Sequence, residues 1–327
     1  MFIVKMITYV LIIVLTLISP SIEDDCPDPP TNCSRDNIRF FLYTDVNKQP
    51  AELFLNDPKT IKNAKFNKGN FKFMIHGFTQ WKNEPKWITL REEYFKQKDK
   101  NWNILFLDYW PVAKMGCYWK TAVRSLEKIG ECGANFLKSL LKERRELKIE
   151  QFHFIGFSLG AQICAQISNS LRPSKMDITR ITGCDPAYPG FVLGARQSDT
   201  ILNSQHATFV DVIHTNMGFC GVFHSSAHYD FYANDGSCQP GCKCSEPSCS
   251  HGRALQIYAE SVNSKTKFYA KKCDSETMWI SIRKCTGDHK ATVEVGEYCK
   301  PPEKKDEGVY NFSTNDKSPF AQGSSKP

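Results

Sequence analysis

Short apolar runs of β character recur along the chain: Phe71 to Ile75, Asn103 to Leu107, Phe152 to Ile155, Ile178 to Thr182 and Phe209 to Ile213. Between several of them the apolar spacing changes to a helical one. Ala122, Leu126, Ile129, Phe136, Leu137, Leu140 and Leu141 mark one face of a helix predicted over Thr121 to Leu147, with basic residues between. Leu159 to Leu171 and Ala254 to Val262 read the same way. Near-continuous apolar strands alternating with helices predict an α/β fold, with a mostly parallel sheet covered on both faces. The polar tail from Glu303 to Pro327 holds one further candidate, Gly308 to Ser313, read as an edge strand. No repeat, long linker or seam interrupts the pattern, so residues 22–327 are expected to form one domain.

The first 21 residues stand apart. Lys5 precedes an apolar run from Ile7 to Ile18, and the small residues Ser19 and Ser21 follow. The run is too short to span a bilayer and has the form of a secretory signal peptide cleaved near Ser21. All 14 cysteines lie beyond that point, which fits an oxidising compartment. The charge balance, 42 Lys and Arg against 35 Asp and Glu, is only mildly basic and evenly spread, so it points to no nucleic-acid partner. The 41% apolar and 24% charged composition excludes collagen-like, disordered and polytopic membrane classes.

Gly156-Phe157-Ser158-Leu159-Gly160 matches G-x-S-x-G. A random chain of this composition would contain about 0.08 such matches, so the flanking residues have to decide. His153-Phe154-Ile155 ends a strand and Leu159 to Ile163 opens a helix. A sharp strand–turn–helix would present the Ser158 hydroxyl above the sheet. A serine at its free pKa is a weak nucleophile, so it needs a base oriented by an acid, and here the order is Ser, acid, His. The acid belongs at the carboxyl end of the next strand, where Asp185 follows Ile178 to Cys184 and Pro186 stops the run. Six histidines follow: His206, His214, His224, His228, His251 and His289. His251 stands out in a cysteine-bounded loop just before a helix. His214 reads as a core histidine, and the other four read as loop or surface residues. Order alone does not choose among them. The oxyanion donors are expected to be the backbone N–H groups of Leu159, after the nucleophile, and Phe78, after the strand end Phe73 to Gly77.

With these residues in place the sequence resembles the pancreatic-lipase family and, within it, the insect venom phospholipase A1 branch. Phe40 to Thr44 resembles the family's first strand, Phe73 to Phe78 its oxyanion loop and Phe154 to Ala161 its elbow. Ile181 to Ala187 resembles the acid strand, Val210 to Thr215 a further strand and Cys249 to Arg253 the base loop. Asn315 to Gly323 is similar to the end of the catalytic domain, and the family's C-terminal β-sandwich has no counterpart here. The resemblance implies an α/β-hydrolase fold and a Ser158–Asp185–His251 triad, which settles the choice of histidine. Two departures stand out. The elbow usually carries His at the positions of Phe157 and Gln162. Calcium-binding relatives also place carboxylates where this chain has Leu202 to His206, so no calcium, and no other metal or organic cofactor, is expected.

In digestive lipases that resemble this chain, a long lid joins two cysteines before the catalytic His. Here only 243–248 separate Cys242 from Cys249, too short for a flap over the site. Such shortening is similar to that of venom phospholipases A1, and implies a secreted monomer that hydrolyses phospholipids at membrane or micelle surfaces. The alternatives are a neutral triglyceride or galactolipid lipase with the same triad, and a non-catalytic lipid-binding relative. Cys238, Cys242, Cys244 and Cys249 lack a clean paired C-x-x-C framework, so disulfides are favoured over zinc. The resemblance suggests Cys33–Cys117, Cys242–Cys249 and Cys273–Cys285, with Cys164 and Cys184 buried as free thiols. Asn32 and Asn311 begin glycosylation sequons.

Overall fold

The computed structural model describes residues 28–47, 49–114, 117, 119–191, 200–273 and 292–323. The signal-peptide segment 1–21, His289 and Cys285 lie outside the described residues. The strands are β1 (Arg39–Tyr43), β2 (Ala51–Leu53), β3 (Phe71–Ile75), β4 (Asn103–Asp108), β5 (Phe152–Phe157), β6 (Arg180–Cys184), β7 (Phe209–His214), β8 (Tyr229–Ala233), β9 (Tyr269–Lys272), β10 (Thr292–Glu294) and β11 (Gly308–Phe312). They form one sheet in the order β10-β9-β11-β8-β7-β6-β5-β3-β4-β1-β2. From β4 through β11 the pairings are parallel, and β1, β2, β9 and β10 are antiparallel. Gly308 to Phe312 is therefore not an edge strand. A β9–β10 hairpin lies outside it and pairs with it at Tyr310 and Asn311.

The helices are α1 (Pro58–Lys62), α2 (Pro85–Lys96), α3 (Trp110–Ala113), α4 (Trp119–Arg124), α5 (Leu126–Glu143), α6 (Leu159–Leu171) and α7 (Pro247–Ser261). The long helix predicted over Thr121 to Leu147 is broken at Ser125, whose hydroxyl and N–H both donate to the Thr121 carbonyl. Alternate strand residues point to opposite faces. Phe73, Ile75, Leu105 and Phe154 meet Ile129, Phe136 and Ile163 of α5 and α6, while Met74, Phe106 and Ile155 meet Trp87, Leu90, Leu255 and Tyr258 of α2 and α7. Both faces bury apolar side chains, which is why the strands read as unbroken apolar runs. The architecture is an α/β-hydrolase fold. No helix among the described residues is long and apolar enough to cross a membrane.

Cys33 pairs with Cys132, not Cys117. Phe40 of β1 stacks on Phe136 of α5 with ring centroids 4.0 Å apart, which brings the segment before β1 onto α5 one turn from Cys132. Cys117 is bonded elsewhere. Closing 99 residues is worth about 4.7 kcal/mol in the chain-entropy picture. Cys273 is disulfide-bonded too, but its expected partner Cys285 is not described. Cys164 and Cys184 are buried free thiols.

Candidate active site

β4 lies on one side of β3 and β5 on the other, so the chain reverses direction across the sheet at β3. In open α/β sheets such a reversal opens a crevice at the carboxyl ends of the strands. Three segments converge there: the end of β3, the β5–α6 turn and the end of β6. At the turn, Ser158 adopts φ 54°, ψ −119°, a strained conformation for a residue with a side chain. The flanking glycines make the bend possible. A Cβ on Gly156 would stand 2.5 Å from the Ala161 Cα, and one on Gly160 would stand 2.2 Å from the Ile75 carbonyl oxygen. The turn is pinned from both sides. Ser158 N–H donates to Cys184 O (2.9 Å), and Ser158 O accepts from Ala161 and Ala187 N–H (3.1 Å each).

Asp185 follows β6 directly and also has positive φ, 45°. Its carboxylate is fully buried and saturated. Oδ1 accepts from the N–H groups of Thr215 (2.8 Å) and Asn216 (3.1 Å), and Oδ2 faces His251 Nδ1 at 2.6 Å. Two backbone donors on one oxygen leave the other aimed at the ring, and they fix the Nδ1–H tautomer of His251. Gly221 crosses directly over this carboxylate, where a Cβ would sit 2.4–2.6 Å from its atoms.

His251 lies inside α7, not in a loop before a helix. Pro247 starts the helix earlier than the apolar spacing suggests, at a position where a missing N–H costs nothing. The Phe157 ring packs on the His251 ring, centroids 4.6 Å apart. Ser158 is the next residue in the chain. Among the described residues no hydrogen bond joins Ser158 Oγ to His251. Such contacts are often loose without substrate. Two disulfides precede the histidine. Cys242–Cys249 closes the short loop read from the sequence, and Cys238–Cys244 interleaves with it.

The strand end expected to supply an oxyanion donor is organised by His76, which the sequence reading passed over. Its buried ring stacks on Tyr109 at 4.1 Å. Nδ1 faces the Gly77 carbonyl oxygen at 2.8 Å, and Nε2 faces Tyr109 N–H and Asp108 Oδ1, both at 3.1 Å. A carbonyl only accepts, so Nδ1 carries a proton. In a trans peptide the N–H points opposite to the C=O. Holding Gly77 O to one side therefore aims Phe78 N–H to the other. Burial alone would raise the Asp108 pKa, but the His76 hydrogen bond and charge outweigh it and hold it low.

Gln162 was marked by the sequence only as a departure. Its Nε2 donates to Ala187 O (2.9 Å) and its Oε1 accepts from Leu202 N–H (2.8 Å), tying α6 to the segments on either side of 192–199. The other histidines lie elsewhere. His214 is buried against Asp230 Oδ1 at 2.8 Å, as a structural histidine. His228 Nδ1 accepts from Val210 N–H, and His224 is partly buried. His206 is buried rather than exposed, because its Nδ1 folds back onto Asn203 N–H. Of the free thiols, Cys220 is one that feels the Asp185 charge. Burial and the Asp185 charge push it up to about 12, so it stays protonated. No group of three or more metal-ligating side chains is found among the described residues.

The model of a family described as Lipase matches residues 21–320, nearly the whole chain. The chain belongs to the pancreatic-lipase family. It is 30% identical to a pancreatic triacylglycerol lipase from Oryctolagus cuniculus over 315 residues, covering 88% of this chain and 65% of that protein. It is also 30% identical to lipase member H from Danio rerio (73% and 52%), and 32% identical to pancreatic lipase-related protein 2 from Cavia porcellus (75% and 56%). This lipase-family chain thus spans about half to two thirds of the length of these relatives. The crevice around Ser158 is its candidate site.

Proposed function

We propose that this lipase-family chain is a secreted phospholipase A1 that cleaves the sn-1 acyl ester of glycerophospholipids through Ser158, His251 and Asp185. The observation that supports the triad best is the Asp185–His251 hydrogen bond at the strand end adjoining the strained Ser158 turn. In this reading His251 Nε2 takes the hydroxyl proton as Ser158 Oγ attacks the ester carbon. Asp185 holds the tautomer and stabilises the imidazolium. The Phe78 and Leu159 N–H groups receive the oxyanion. His251 then gives its proton to the departing glycerol oxygen, the lysophospholipid leaves, and water repeats the sequence to release the fatty acid. The disulfides and the leading apolar segment support secretion, and Asn32 and Asn311 are candidate glycan sites. The protein acts as a monomer at lipid surfaces and requires no metal or organic cofactor.

The short, doubly bridged segment 238–249 supports phospholipase selectivity, since it leaves no flap to close over the mouth. The second reading is a triacylglycerol lipase, the activity named in one of the relatives above. Phosphatidylcholine and triolein assayed side by side, with positional analysis of the released acid, separate the two. Ser158→Ala is expected to abolish both activities and to prevent labelling by a fluorophosphonate. An unlabelled wild-type protein points instead to a lipid-binding relative.

A further inference from the structure

One lysine beside the candidate site has no ion-pair partner among the described residues. Lys86 lies in the first turn of α2, and its side chain runs across Gly252, the residue after His251. A Cβ on Gly252 would stand 2.8 Å from the Lys86 Cε and 3.3 Å from its Nζ. The residue is half-buried, yet no carboxylate among the described residues pairs with it, unlike Lys96 and Lys243, which pair with Glu93 and Glu246. The first turn of α2 contains no acidic residue, and the nearest acid in sequence, the N-cap Glu84, forms no ion pair with Lys86 among the described residues. Aromatic pairs follow the β3 and β6 ends instead. Phe78 meets Trp119 edge-on at 5.3 Å, and Tyr188 meets Phe223 at 5.3 Å.

The proposed chemistry gives this asymmetry a direction. His251 must protonate the leaving oxygen, so the leaving group lies on the His251 side of Ser158. In a phospholipid the leaving group carries the phosphodiester, separated from the sn-1 oxygen only by the three glycerol carbons and one oxygen. The acyl chain departs the other way, away from His251. We infer that Lys86 binds the phosphodiester of the leaving lysophospholipid and is the residue that favours phosphate-bearing substrates over uncharged glycerides. This rests on the phospholipase reading above and extends it to a specificity-determining residue. A lysine suits the role, because its compact charge reaches a phosphate oxygen without requiring a fixed planar geometry.

The test compares dioleoylphosphatidylcholine with 1,2-dioleoylglycerol, the same acyl groups without the phosphate, in mixed micelles. Lys86→Met is expected to lower the ratio of the two kcat/KM values about tenfold, mainly through KM. Lys86→Arg is expected to keep most of the ratio. Glycerophosphocholine, as a competitor of p-nitrophenyl butyrate hydrolysis, is expected to inhibit the wild type more strongly than Lys86→Met. A ratio and an inhibition constant unchanged in Lys86→Met and in Lys86→Gln overturn the assignment. If Lys86→Met proves unstable, the same two readouts from Lys86→Gln decide the question. A wild type that cleaves dioleoylglycerol but no phospholipid, or a Ser158→Ala variant that stays active, overturns the underlying functional reading instead.

Discussion

The most demanding test of the proposed triad touches none of its members. Gly221 lies over the Asp185 carboxylate, and a Cβ there would come 2.4 Å from Oδ1 and 2.6 Å from Cγ and Oδ2. Real Cβ contacts of that kind essentially never fall below 3.0 Å. Gly221→Ala therefore has to displace something by roughly 0.6 Å or more. Gly221 is held by its N–H bond to Asn216 O (3.0 Å) and is not among the residues with positive φ, so alanine adds contact rather than backbone strain. Gly221 is packed straight onto the carboxylate, and any displacement of that group lengthens the 2.6 Å bond that orients His251. Misplacement of a reacting group by about 1 Å can cost about 10²-fold, or roughly 2.7 kcal/mol of transition-state stabilisation. Gly221→Ala is accordingly expected to lower kcat on p-nitrophenyl butyrate about 10²-fold with little change in KM. Gly218→Ala is the control. Its φ of 77° makes alanine strained, but nothing lies within 4 Å, so about 1 kcal/mol of stability is lost and kcat is kept. A Gly221→Ala protein that unfolds cooperatively at the wild-type temperature and keeps kcat within threefold would refute the argument that Asp185 must be held in place.

Further outcomes follow from the buried polar groups. His76→Ala removes the shorter of the two hydrogen bonds on the Gly77 carbonyl, leaving only Gln80 N–H at 3.3 Å, and is expected to lower kcat 10- to 100-fold while KM stays within twofold; equal losses in both would mean a general structural role. Gln162→Ala removes two hydrogen bonds in the interior and is expected to cost about 1–3 kcal/mol in urea unfolding, with a loss below 0.5 kcal/mol counting against the clamp. Acid sensitivity should centre on the network of Lys72, His153, Arg180, Asp211 and Glu297 between the sheet and α7. Burial, then the charges of Lys72 and Arg180, hold His153 well below its ordinary 6.5. The unfolded chain takes up a proton below that value and the folded one does not. Stability is expected to fall as pH drops below about 6.5, by up to about 1.4 kcal/mol per unit. Burial would raise Glu297, but Lys72 and Arg180 outweigh it and hold it below 4.5. Its contribution is complete above 4.5 and disappears as pH falls through the folded value. Urea midpoints from pH 7 to 5 should therefore decline, and His153→Gln should flatten that limb; an identical slope in the variant removes His153 as the cause.

The seven central strands were partly legible because both of their faces are buried, so Phe71 to Ile75 or Phe209 to Ile213 carry no polar alternation to obscure them. Ser158 and Asp185 were legible because strained strand ends need small neighbours and a following stop, and Gly156, Gly160 and Pro186 supply them. The antiparallel margins were not, since a three-residue strand such as Ala51–Leu53 leaves no periodicity to read. Cys33–Cys132 escaped because the pair is made by β1 lying across α5, a relation that exists only in three dimensions. The parts played by His76 and Gly221 were hidden for the same reason. Each acts on a neighbour through a peptide orientation or a single contact, and neither carries a motif.

The two interlocked bridges ahead of His251 have a consequence for how the protein is made. Four sulfurs crowded into residues 238–249 can be joined in three ways, and only one of them gives Cys238–Cys244 together with Cys242–Cys249. The other two would alter the start of α7 and pull the His251 ring away from the Asp185 carboxylate while leaving the large sheet assembled. Chains produced in a reducing cytoplasm and oxidised afterwards would thus yield soluble, sheet-containing and inert material, and thiol shuffling by an isomerase would recover the active fraction.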